Sequence, residues 1–142
     1  MSEEQRRHYL FELDDELLIG GVALSEWCSF IVYEADTAFV AGAHLATIVT
    51  AMAGIETYLR SAFPESRRMT LYELIEQSPI ADSLKFDIHT LRKYRNRWVH
   101  ISDPEDDQDI LEHPEKYIQE LELRARKAVR TLRETIYENQ WL

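Results

Sequence analysis

Residues 38–63 read AFVAGAHLATIVTAMAGIETYLRSAF. The apolar positions recur at helical rather than alternating spacing. They cover almost the whole circumference, which assigns the segment to a central, buried helix. Gly42, His44, Thr47, Thr50 and Gly54 interrupt the run and Glu56 follows, a pattern unsuited to a membrane span. A stripe of small and polar side chains (His44, Thr47, Thr50, Gly54, Thr57, Ser61) predicts a neighbouring helix at close range. Glu56 lies roughly opposite, on the face of Leu45, Val49, Met52, Leu59 and Phe63. A carboxylate on that face needs a partner.

The pattern stays helical in both directions. Residues 5–19 predict an amphipathic helix ended by Gly20-Gly21. Residues 24–35 predict a second, capped by Ser25 or a neighbour; Asp36-Thr37 either separate it from the central helix or lie where the two run on. Pro64 ends the central helix. Thr70-Leu71-Tyr72-Glu73 is a capping box for a short helix reaching about Ser78, and Pro79 stops it. Residues 82–101 form the next helix. Asp103-Pro104 open an acidic loop, and Pro114 suits the first position of a last helix over 114–138. That helix carries Arg124, Arg126, Lys127, Arg130 and Arg133 on its outer face. The expected fold is all-α: one domain over 1–142, a bundle of four to five helices, with a core about 24–138 and the N-terminal helix packing on it.

With 142 residues the chain can bury a core without staples, and four Gly and four Pro are too few for a turn-rich β protein. The single cysteine, Cys28, forms no internal disulfide, which fits a reducing, cytoplasmic setting. Met1-Ser2-Glu3-Glu4 has neither the basic nor the apolar region of a signal peptide. His8, His44, His113 and Cys28 have no metal-ligand spacing, so no metal or cofactor is expected. A net charge of −10 argues against indiscriminate nucleic-acid binding over the whole surface. The charge is sorted, however. Residues 103–122 hold nine acids and one lysine, whereas 85–97 hold five Lys/Arg and one aspartate.

The basic segment ends in LRKYRNRWVH, residues 91–100. On a helical wheel Leu84, Leu91, Tyr94, Trp98 and Ile101 form the core face. Lys85, His89, Arg92, Lys93, Asn96 and His100 fall within about 60° of Asn96, with no acid inside that arc. Packing like charges this way needs an offsetting anion. Either the acidic loop folds back over the face or a partner brings the anion.

Arg95-Asn96-x-x-x-His100 resembles the R-polar-x3-H motif of HEPN domains, the higher eukaryotes and prokaryotes nucleotide-binding superfamily. The setting is similar too: the motif lies near the end of a late helix, the apolar AMAGIETYLR precedes it and one long helix follows, so the likeness spans roughly residues 24–138. Many HEPN proteins are metal-independent endoribonucleases in which two motifs face each other across a symmetric dimer. The resemblance therefore implies RNA cleavage by a homodimer, in a toxin or defence setting with an antitoxin or regulatory protein as partner. It makes His100 the acid/base, Arg95 the phosphate clamp and Asn96 the group that orients the histidine or binds a phosphate oxygen. The wheel adds Arg92, Lys93 and Arg97 as RNA-positioning residues. Glu56 is expected to be a structural partner for a buried arginine, a tyrosine or a helix-end donor, and the specific candidate is Arg95, whose clamp it would support. The chain departs from one branch of the family, whose toxins carry a modified tyrosine two residues after the histidine; Ser102 stands there. The other reading is a non-catalytic HEPN-like module that binds a nucleotide, RNA or a protein.

Overall fold

The computed structural model describes all 142 residues, and they form an all-helical bundle. Five long helices make the body: α1 (Glu3–Leu17), α2 (Glu26–Val40), α3 (His44–Ala62), α5 (Asp82–Val99) and α7 (Pro114–Ile136). Two short ones, α4 (Leu71–Gln77) and α6 (Gln108–Glu112), and a 3-10 turn over Pro64–Arg68 fill the connections. Neither α6 nor the 3-10 turn is among the helices expected from the sequence. No helix is long and apolar enough to cross a membrane.

The segment 38–63 is not one helix. α2 runs through Asp36 and Thr37 to Val40, and the chain turns at Gly42, whose φ of 80° suits glycine. Asp36 does not break α2 because its carboxylate is used elsewhere, as described below. Thr37 stays helical by bonding back from Oγ1 to the Tyr33 carbonyl at 2.9 Å. Ser25 caps α2 by accepting from the Cys28 amide.

α3 is the central helix, burying Ile48, Ala51, Met52, Ile55 and Leu59. The small stripe has its expected use at Gly54. A Cβ there would stand 3.0 Å from Leu132 of α7 and 3.4 Å from Ile31 of α2. Gly54 faces Leu132, and the Glu122 carboxylate is near enough to His44 to act on its charge, so α3 runs parallel to α7. Trp98 meets Tyr117 edge-on and Lys127 reaches Asp87 at 3.3 Å, so α5 runs antiparallel to α7. It follows that α3 and α5 are antiparallel.

The outer-face assignment of Arg133 is corrected by the structure: its side chain is 3% exposed. Nε donates to Asp14 of α1 at 2.9 Å, and Nη1 and Nη2 form a fork to Asp36 of α2 at 2.9 and 2.8 Å. Tyr137 donates its hydroxyl to the same Asp14 oxygen at 2.8 Å. Burial opposes the charge of Arg133, but the bonds from Asp36 and Asp14 outweigh it and raise the guanidinium pKa. Three others of the stripe are also engaged, whereas Arg126 has its Nε buried without a partner. Arg130 bridges Glu16 and Glu134, Lys127 binds Asp87, and Arg124 lies over the Tyr94 ring.

α1 ends at Leu17 with Leu18 as its cap, before the glycines expected to stop it, and Gly20 and Gly21 have another use. Gly21 and Trp141 exchange two backbone hydrogen bonds, and a Cβ on Gly20 would fall 2.3 Å from the Trp141 carbonyl oxygen.

Arg133→Ala leaves two half-buried carboxylates without their shared cation and opens a hole where the guanidinium was, and should lower the unfolding free energy by about 2–4 kcal/mol in urea titration. A second expectation concerns His44, whose Nδ1 is buried without a partner and whose pKa is lowered by burial. The unfolded chain binds that proton more readily, so stability should fall as pH drops through the ordinary imidazole value of about 6.5. A His44→Gln variant should lose that part of the pH dependence.

Candidate functional site

The last two turns of α5 carry the motif. Leu84, Ile88, Leu91 and Tyr94 are buried and hold the helix on α3 and α7. Ile101 does not join them. α5 ends at Val99, His100 caps it through its amide to the Asn96 carbonyl at 2.9 Å, and Ile101 is 55% exposed. The helix stops two residues earlier than the apolar spacing suggests, and Ile101 lies outside the core.

Arg95 donates from Nε and Nη2 to the Asn96 side-chain oxygen, at 3.2 and 2.7 Å. That bond fixes the amide so that its nitrogen is left without a protein partner. The expected side-chain contact of Asn96 with His100 is absent; the two are linked only through the backbone cap. The His100 imidazole is exposed and makes no hydrogen bond to the protein. Lys93, Asn96, Arg97 and His100 line one open cleft of about 550 Å³, closed at its far side by Ile101, Ser102, Asp103 and Asp106. Arg95 is not in its lining and reaches the cleft only by way of Asn96.

Arg92 is turned away from the cleft. Its Nε approaches His89 at 3.4 Å and its guanidinium lies over the Tyr72 ring of α4. Glu76 of α4 accepts from His89 at 2.7 Å, and its backbone carbonyl takes the Lys85 ammonium at 2.6 Å. An acid does therefore reach the basic arc, from a helix whose position the wheel could not include. Arg97 is 63% exposed and stands 3.7 Å from Glu120 of α7. Asp103 and Asp106 come from the acidic loop that the sequence offered as a cover for this face, whereas Glu120, on α7, had no signal in the sequence.

Glu56 does not support Arg95. It accepts from Arg60 Nε at 2.9 Å, one turn along α3, and Arg60 in turn donates to the Ser66 and Met69 carbonyls. The reason is helix direction. Because α3 and α5 are antiparallel, the C-terminal half of α3 faces the start of α5, a helix length from Arg95. The Glu56–Arg60 pair instead pins the 3-10 turn.

Beneath the cleft, burial raises the pKa of Tyr94 and its hydroxyl has no partner. Arg124 and Arg97 guanidinium groups lie over its ring at 4.7 and 5.4 Å. No three His, Cys, Asp or Glu side chains gather as a metal site.

No family model matches the chain, and neither a curated protein nor a solved structure matches it.

The Glu56→Gln variant should leave any activity of the α5 site unchanged. With its side chains 30% and 33% exposed, the pair is still reached by solvent, and its loss should cost about 1 kcal/mol in thermal melting.

Proposed function

We propose that the chain is a metal-independent endoribonuclease of HEPN type, acting as a symmetric homodimer in the cytoplasm. Its setting is that of a toxin or defence effector under the control of an antitoxin or regulatory protein. One observation carries the reading. The chain has 26 acids to 16 Lys/Arg, yet Lys85, Arg92, Lys93 and Arg95 on α5 have no carboxylate within ion-pair distance. In so acidic a chain, cations without acidic partners on the helix that carries a half-buried amide and an exposed imidazole suit an anion brought from outside, and of the four Lys93 is the one that lines the cleft.

In the proposed step one His100 takes the proton of a ribose 2′-hydroxyl as that oxygen attacks the phosphorus. The 5′ oxygen leaves and takes a proton from a second imidazole, giving a 2′,3′-cyclic phosphate and a 5′-hydroxyl. One chain has one His100, so the second imidazole comes from the other copy. Asn96, its oxygen held by Arg95, presents its amide N–H to a phosphate oxygen. Arg95 and Arg97 offset the charge that builds on the phosphate.

A second reading, a non-catalytic module that binds RNA or a nucleotide, is favoured by Asp103 and Asp106. Both line the cleft and weaken its hold on a polyanion.

Purified protein should cleave labelled RNA, and His100→Ala should slow cleavage about 10²–10⁴-fold. Arg95→Ala should slow it about 10²–10³-fold. RNA left intact by wild type and variant alike sinks the nuclease reading, and retention of that RNA on the protein selects the second.

A further inference from the structure

Phe86 is an exposed aromatic on a polar helix: it lies in the first turns of α5 and is 71% exposed. Measured around the helix from Lys93, Phe86 lies at about +20°, Arg97 at about +40° and His100 at about −20°. The four thus form one stripe running down the outer side of α5, and all four are exposed. From Phe86 to His100 the stripe is about 21 Å long. Its charge is graded. Asp82 and Asp87 lie at the start of the helix, Asp87 already bound to Lys127, and the unpaired Lys93 and mostly exposed Arg97 lie toward the end.

We infer that this stripe is the track for single-stranded RNA leading into the His100 cleft, with Phe86 as the platform on which one base stacks. The inference rests on the ribonuclease reading for the identity of the strand. Phosphates belong at Lys93, which has no acidic partner, and at the exposed Arg97, whose contact with Glu120 is long at 3.7 Å. An uncharged base belongs at Phe86, the one apolar aromatic ring on the stripe. A stacked base buries the ring that water now covers, and stacking on an aromatic works for any base. The strand must be single, because a duplex keeps the faces of its bases covered. One end of the helix therefore holds the chain by a ring, and the other presents the phosphodiester to the imidazole.

The test uses the full chain carrying His100→Ala, so that RNA stays intact, and a short fluorescein-labelled oligoadenylate read by anisotropy. Adding Phe86→Ala should weaken single-strand binding roughly tenfold, and Phe86→Trp should restore it. Lys93→Ala should lower the salt dependence of log K by about 0.7. A duplex of the same length should bind less well and be indifferent to Phe86. An unchanged urea midpoint for Phe86→Ala shows that the effect is on binding. Single-strand affinity unaffected by Phe86→Ala, equal affinity for the duplex, or binding of neither overturns the track. The two readings fail separately. Cleavage by the wild type with Phe86-independent binding removes the track alone, and Phe86-dependent binding of RNA that wild type never cuts removes the nuclease alone.

Discussion

The buried Arg133 guanidinium is the point on which the arrangement of helices depends. It joins α7 to α1 through Asp14 and to α2 through Asp36, with Tyr137 completing the Asp14 shell. Apolar packing alone tolerates sliding and rotation between helices. A forked, charge-assisted contact to one carboxylate and a single bond to another do not. Such a network adds little net stability over an apolar replacement, but each of its parts is costly to lose alone. With α7 fixed against α1 and α2, α3 has a defined slot between α2 and α7, tight enough that Gly54 has no room for a larger side chain beside Leu132. α5 then docks on α3 and α7, and the direction of its outer stripe is set by contacts at the opposite side of the bundle.

The sequence was most legible where one helix explains its own residues. The caps at Ser25 and Thr70, the start of α7 at Pro114 and the buried faces of α3 and α7 follow from local pattern, and the structure has them. Legibility failed where a residue answers to another helix. Arg133 sits among exposed cations in the sequence and is distinguished only by Asp14 and Asp36, far away in the chain. Asp36 looks like a helix end until its partner is known. Glu56 was matched to the wrong arginine because a wheel gives a face but not the direction in which the neighbouring helix runs. Ile101 kept apolar spacing beyond the point where the helix had anything to pack on.

The candidate site divides along the same line. That α5 has a polar face bearing Lys93, Asn96, Arg97 and His100 is local information, and the structure gathers those four at one cleft. What surrounds them is not local. Glu76 from α4 neutralises the His89 end of the arc, and Glu120 from α7 stands by Arg97. The acids of the loop, Asp103 and Asp106, share the cleft with the cations without pairing to them. Such charges are screened by salt over about 10 Å at 0.1 M, so the affinity of the cleft for an anion depends on ionic strength in two opposing ways.

The pairing of Gly21 with Trp141 has a kinetic meaning. It joins two segments that lie almost the whole chain apart, through two backbone hydrogen bonds, three more between the Gln140 side chain and Leu17, Ile19 and Gly20, and a glycine that leaves room for the carbonyl. Closing so long a loop is entropically unfavourable until intervening contacts have shortened it. The bridge can therefore form only after α7 has docked along α3, late in folding. In the native state its two amides are the ones through which fraying of the C-terminal end would first admit solvent deuterium, well before the bundle itself opens.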